Sequence, residues 1–120
     1  YNANPTSMIA AAKVLEQESN TKILVLGDVF ELGSAADEEH YQLGRGLAAL
    51  DIDAVLTVGN HMAHTVRAVN ESCDIAVHFD DKQALLAALK AHLNNGASTV
   101  LFKGSRGMKM ESLIDDLMNA

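Results

Sequence analysis

Four short, apolar, β-rich runs alternate with helical patterns along this chain, and that alternation most restricts how it can fold. The runs are 22–26, 54–58, 75–79 and 99–102. The first, second and fourth are nearly continuous in apolar residues, which predicts interior strands buried on both faces of a parallel sheet. The third alternates more and is predicted to lie nearer an edge. Strands separated by helices favour right-handed crossovers, so we predict a three-layer α/β domain with a mainly parallel sheet.

Helix start signals fit this order. Asn4 and Pro5 suit an N-cap followed by the first helical position. Ser34 is predicted to cap a second helix with acidic residues in its first turn, and Asp80 or Asp81 to cap a later one. The pattern opens on a helix. Because helices in such folds follow strands, we expect that a first strand is missing from this stretch of chain.

Composition narrows the class of protein. With 120 residues, 48% of them hydrophobic, one core and one domain spanning 1–120 are expected. The net charge is −7 and the nine cations are scattered, which argues against a nucleic-acid partner. A single cysteine, Cys73, cannot form an internal disulfide. No apolar run approaches the roughly 18 residues of a membrane span, and the start lacks a signal pattern. We expect a cytoplasmic protein without membrane insertion.

Three loops are candidates for ligand binding, because open parallel sheets bind ligands at the carboxyl ends of their strands. They are 1–5, 27–33 and 103–107, and each combines glycine or asparagine with hydrogen-bonding or charged side chains. Each also has a plainer interpretation. Asp28 suits a tight turn with a helix-capping carboxylate, and the pair Lys103 and Arg106 suits either an anion site or a solvated basic turn.

The sequence gives little indication of a phosphate-binding loop or a metal site. No Gly-x-x-x-x-Gly-Lys-Ser/Thr motif occurs, so the chain has no phosphate-cradling loop of its own. His61 and His64 lie three residues apart, but no cysteine or carboxylate set nearby completes a metal site, and none is predicted. His40 is expected about a turn or two inside the helix that follows Glu31, where it can face that loop.

Taken together, the loops carry a resemblance. Tyr-Asn-Ala-Asn-Pro stands at 1–5 and Val-Leu-Gly-Asp-Val-Phe-Glu-Leu-Gly at 25–33, with His40 and Gly44 downstream. Leu-Phe-Lys-Gly-Ser-Arg stands at 101–106, with Met110 and Glu111 following. In this order and spacing the chain resembles, over nearly its whole length, the C-terminal domain of the Mur ligase family. Within that family it is most similar to the branch that adds D-Ala-D-Ala to UDP-MurNAc-tripeptide in peptidoglycan precursor synthesis.

The resemblance implies a three-domain, ATP-dependent peptide ligase in which this Rossmann-like C-terminal domain acts as a substrate-binding lid. The partners implied are ATP, D-Ala-D-Ala, UDP-MurNAc-tripeptide and the N-terminal and central domains of the same enzyme. ATP and Mg would be bound mainly by the central domain, so no cofactor and no activity are expected in this chain alone.

Site residues follow from the same resemblance. It implies nucleotide-facing positions at Tyr1, Asn2 and Asn4. It implies dipeptide binding by Asp28, Glu31, Lys103, Ser105 and Arg106. His40 would stand behind these side chains as a second shell, and no catalytic residue is implied within the chain. The family's acidic residues just before the tyrosine are absent from this stretch of chain. We therefore expect nucleotide contacts from that edge to be missing.

Two other functions stay open on the sequence. One is a Mur ligase that accepts a different amino acid. The other is a stand-alone, flavodoxin-like module that binds a nucleotide or a partner protein. A P-loop encoded upstream in the same gene would favour the ligase over the stand-alone module.

Overall fold

The computed structural model describes residues 3–119, which form five α-helices around four strands. In chain order the elements are α1 (Pro5–Glu16), β1 (Thr21–Gly27), α2 (Ala36–Ala48), β2 (Ala54–Val58), α3 (Met62–Asn70), β3 (Ala76–Phe79), α4 (Lys82–Leu93), β4 (Ser98–Lys103) and α5 (Glu111–Met118). Short 3₁₀ turns precede α2, at Gly33–Ala35, and α5, at Arg106–Met108. Among the described residues, no helix is long and apolar enough to cross a bilayer.

All strand pairs are parallel, in the order β3-β2-β1-β4. Helices α1 to α3 cover one face of the sheet and α4 and α5 the other. Alternate residues of β1 divide between the two faces: Leu24 and Leu26 pack with the first group of helices, Ile23 and Val25 with the second. Because both faces are buried, β1 reads as one apolar run, and the predicted three-layer architecture is confirmed.

The position of β4 differs from the prediction. Within residues 3–119 it lies at an edge of the sheet, next to β1 alone, rather than in the interior. All six of its residues are partly exposed. An apolar strand indicates that helices cover both faces of the sheet, and it does not indicate that another strand pairs on each side. The pattern at 99–102 therefore could not distinguish an interior strand from an edge strand. Strand β3 lies at the opposite edge, as predicted.

Two of the predicted helix caps are confirmed and one is wrong. Asn4 caps α1 in a reciprocal pair with Ser7, and the Asp81 carboxylate accepts the Ala84 N–H at 2.8 Å. Ser34 makes no cap: it lies inside the 3₁₀ turn, which runs directly into α2 without a side-chain cap. A tight turn supplies its own i→i+3 bonds, which removes the need for the cap.

Candidate functional site

The acidic loop (28–31) and the basic loop (103–107) meet at the carboxyl edge of the sheet. Strand register pairs Leu26 with Lys103 and Gly27 with Val58, so the three strands β1, β2 and β4 end side by side. Asp28 and Lys103 therefore lie at the same edge, as predicted from the sequence.

Ser105 joins the two loops. Its backbone N–H donates to the Asp28 carbonyl at 3.0 Å, and its Oγ accepts the Phe30 N–H at 2.7 Å. Ser105 is only 1% exposed. The Phe30 ring lies against Gly107, where any added Cβ would collide with it. The acidic and basic loops therefore form one packed unit, and Ser105 serves it as an internal connector.

Asp28 is the N-terminal cap of α3. Its Oδ2 accepts the Asn60 N–H at 2.6 Å, and its Oδ1 accepts the N–H groups of His61 and Met62, both at 3.0 Å. The residue is 2% exposed. A carboxylate placed there satisfies the free N–H groups of the first turn and interacts favourably with the helix dipole. Its surroundings match the helix-capping interpretation, except that the capped helix is α3 rather than the next one along the chain.

Gly59 makes this cap possible. It has φ 125°, and a Cβ at this position would overlap the Asp28 carboxylate. Glycine is thus required both by the backbone conformation and by the close approach of the cap.

Glu31 differs from Asp28 in exposure and in backbone conformation. Its side chain is exposed, and its φ of 67° places a non-glycine residue in the left-handed region. That conformation costs about 1 kcal/mol and is held here by the bonded residues on either side. Residues strained in this way cluster at ligand sites, which makes Glu31 the leading anionic candidate for substrate contact.

The basic loop borders an open groove. Gly104 lies tightly against the end of β1, since a Cβ there would come within 3.1 Å of the Gly27 Cα. Lys103 is partly exposed and Arg106 exposed. The groove is lined by Phe102, Lys103, Gly104, Ser105, Arg106, Met110, Glu111 and Ile114. A guanidinium and an ammonium bordering one groove suit a carboxylate or phosphate group.

His40 lies directly behind the acidic loop. Its Nε2 accepts the Val29 N–H at 3.1 Å, and its Nδ1 lies 2.7 Å from the Ala36 carbonyl oxygen. The residue is 1% exposed. Since a backbone N–H can only donate, Nε2 must be unprotonated and Nδ1 must carry the hydrogen that goes to Ala36. The ring is therefore fixed in one neutral tautomer.

A carboxylate–histidine cluster next to His40 could not be predicted from the sequence. Asp37 Oδ1 lies 3.1 Å from His61 Nδ1 and 3.3 Å from His64 Nε2. The hydrogen bond from His61, with the nearby imidazoles, holds the pKa of Asp37 below its usual value. The spacing of the two histidines was visible, but their partner comes from another helix. In residues 3–119 no group of three or more His, Cys, Asp or Glu is arranged to hold a metal ion.

The loop at 1–5 is described only from residue 3. Tyr1 and Asn2 lie outside the described residues. Asn4 is exposed, and its Oδ1 accepts the Ser7 N–H at 2.8 Å while Ser7 Oγ accepts the Asn4 N–H at 3.0 Å. The start of α1 shares a groove with α2. The capping interaction thus occupies the Asn4 oxygen within the domain.

Known proteins resemble this chain along its length. A family model described as "Mur ligase, glutamate ligase domain" matches residues 1–106. The UDP-N-acetylmuramoyl-tripeptide–D-alanyl-D-alanine ligase of Escherichia coli is 38% identical over 95% of this chain and 25% of its own length. The Bacillus subtilis ligase of the same name is 37% identical over 100% of this chain and 27% of its own. The chain thus spans about a quarter of the curated relatives it matches.

Solved structures are similar to this chain as well. A MurF structure from Acinetobacter baumannii superposes with a TM-score of 0.91 at 38% identity, over 100% of this chain and 27% of that one. A MurF ligase from Thermotoga maritima, solved in complex with ADP, gives 0.80 at 26% identity, over 99% and 26%. Sequence match, strand order and loop positions lead to one conclusion: this chain belongs to the Mur ligase family and carries that family's glutamate ligase domain.

Proposed function

We propose that residues 1–120 are the C-terminal domain of an ATP-dependent ligase that joins D-Ala-D-Ala to UDP-MurNAc-tripeptide in the bacterial cytoplasm. The observation that carries the proposal is the likeness, over almost the whole chain, to ligases of that name. The nearness of an acidic and a basic loop at one sheet edge supports it, because the incoming dipeptide bears one charge of each sign.

Each of the two loops would bind one end of the dipeptide. Glu31, exposed at the tip of the acidic loop, would hold the ammonium group. Lys103 and Arg106, beside the groove of the basic loop, would hold the carboxylate. Asp28 and Ser105 are buried and bonded within the domain, so we assign them to shaping the loops rather than to touching the dipeptide. A zwitterion held at both ends presents its amine in one orientation.

ATP and Mg would be held mainly outside this domain. Residues 3–119 hold no cluster fit for a metal ion, and the sequence has no P-loop. In the complete enzyme ATP would activate the carboxylate of the tripeptide as an acyl phosphate. The loop at 1–5, with Tyr1, Asn2 and Asn4, is proposed to face the nucleotide across the cleft between domains. This domain would bind the dipeptide, orient its amine and exclude water as it closes.

The test is phosphate release by the full-length enzyme that contains this chain. Release should require ATP, UDP-MurNAc-tripeptide and D-Ala-D-Ala together, with the UDP-MurNAc-pentapeptide as product. The 120-residue chain alone should release none. Single amino acids replacing D-Ala-D-Ala should give no product, and a product from any of them would favour a different Mur ligase. Phosphate release by the 120-residue chain alone would contradict the lid assignment.

A further inference from the structure

We infer that His40 is a positioning residue whose ring holds the acidic loop in its binding conformation, so that loss of its bond to the Val29 N–H weakens dipeptide binding. The inference rests on the proposed function for its kinetic consequence. Its structural part concerns the loop alone and is independent of the substrate.

The first step is the pair of bonds that the ring makes. It spans from the Ala36 carbonyl, in the first turn of α2, to the Val29 N–H, in the acidic loop. Val29 is 2% exposed, so water cannot accept its N–H in place of the His40 ring. Phe30, the next residue, donates to Ser105 and so transmits the position of the loop to the basic loop.

The second step is the chemistry of the ring. Nε2 accepts a hydrogen bond only while it carries no hydrogen, and Nδ1 donates to Ala36 only while it carries one. A side chain that offers no acceptor at the place of Nε2 leaves the Val29 N–H unpaired inside a buried site. The loop must then shift, and the left-handed conformation of Glu31, two residues beyond Val29, loses its support on that side.

The third step is the surroundings of the ring. His61 stacks on His40 with ring centroids 5.3 Å apart, which fixes the plane of the ring from the α3 side. Titratable groups near it come from the acidic loop, α2 and α3: Asp28, Glu31, Asp37, His61 and His64. All but Glu31 are bonded to one another or to backbone within this cluster. Among these titratable groups, His40 is the one whose side chain accepts a backbone N–H of the acidic loop.

The test uses two substitutions that separate the two ring nitrogens. In His40→Gln the amide oxygen can occupy the place of Nε2 and accept the Val29 N–H, without any titratable group. In His40→Asn the shorter amide reaches only the place of Nδ1, and the Val29 N–H is left unpaired. In the full-length enzyme, His40→Asn should raise the KM for D-Ala-D-Ala by about ten-fold, with the KM for UDP-MurNAc-tripeptide nearly unchanged. His40→Gln should stay close to the parent enzyme.

The KM values give a readout that a purely structural role would not move, because a smaller folded fraction lowers the apparent kcat and leaves both KM values unchanged. Equal KM values for the dipeptide in the two variants would overturn the inference.

Nuclear magnetic resonance of the 120-residue chain decides the structural part without any substrate. His40 should show the Nδ1–H tautomer at neutral pH, and the Val29 amide should exchange faster with solvent in His40→Asn than in His40→Gln. An Nε2–H tautomer, or equal protection of Val29 in both variants, would overturn the inference. Absence of ligase activity in the full-length enzyme, with these results intact, would contradict the proposed function and not the role of His40.

Discussion

At the scale of single residues, Asp28 and Ser105 are buried and bonded to backbone from other parts of the chain. The resemblance implied that both bind the dipeptide, whereas the bonds they make lie within the domain. Sequence alone could not show this, because the partners of Asp28 come 32 to 34 positions later. The left-handed backbone conformation of Glu31 could not be predicted from the sequence, because glutamate has no preference for that region.

The capping role of Asp28 yields a stability prediction. Asp28→Ala should lower the free energy of unfolding by about 2 kcal/mol, because the N–H groups of Asn60, His61 and Met62 lose a buried charged acceptor. Asp28→Asn keeps one acceptor oxygen and should lose less. Urea denaturation of the 120-residue chain measures both. Asp74→Ala, at an exposed loop carboxylate, is the control and should change little. A stability loss no larger than that of the control would refute the cap.

At the scale of elements, apolar periodicity predicted all four strands and the helices between them to within a few residues. It could not predict lateral order, which is why β4 was placed in the interior. Pairing is set by how crossovers run, and α4 returns the chain across the sheet so that β4 lies beside β1. Ser34 shows the other limit: a good capping residue is not used when a 3₁₀ turn leads into the helix.

The contact between α2 and α3 depends on Gly44. A Cβ at this position would collide with the Thr65 carbonyl oxygen and come within 2.7 Å of the Ala68 Cβ. Gly44→Ala should therefore destabilise the chain by about 1 to 3 kcal/mol, because backbone atoms cannot move aside cheaply.

Gly46, on the same helix, is the matched control. A Cβ there meets only the end of the Ile9 side chain, which can rotate, and alanine favours the helix by about 1 kcal/mol over glycine. Gly46→Ala should be close to neutral in the same urea experiment. Equal losses in the two variants would mean that the helix contact is not limited by Gly44.

At the scale of the whole molecule, the described domain gathers charge of both signs at one sheet edge, where the acidic and basic loops meet. The chain spans about a quarter of the relatives it matches, so in the proposed ligase its loops form one side of a larger site. One side of a shared cleft makes too few contacts to offset the cost of immobilising a small ligand. The dipeptide is therefore expected to bind well only when the complete enzyme closes.

In the proposed ligase this domain recognises the dipeptide, and substitution of Arg106, beside the groove of the basic loop, probes that recognition. Steady-state kinetics of the full-length enzyme, with each substrate varied in turn, should be measured for Arg106→Ala and for Arg45→Ala, an exposed arginine in the last turn of α2. Losing a charge-assisted hydrogen bond should lower kcat/KM for D-Ala-D-Ala by about ten- to a hundred-fold in Arg106→Ala, with UDP-MurNAc-tripeptide far less affected. Arg45→Ala should match the parent enzyme. Equal losses of kcat/KM for the two substrates in Arg106→Ala would contradict recognition of the dipeptide by this domain.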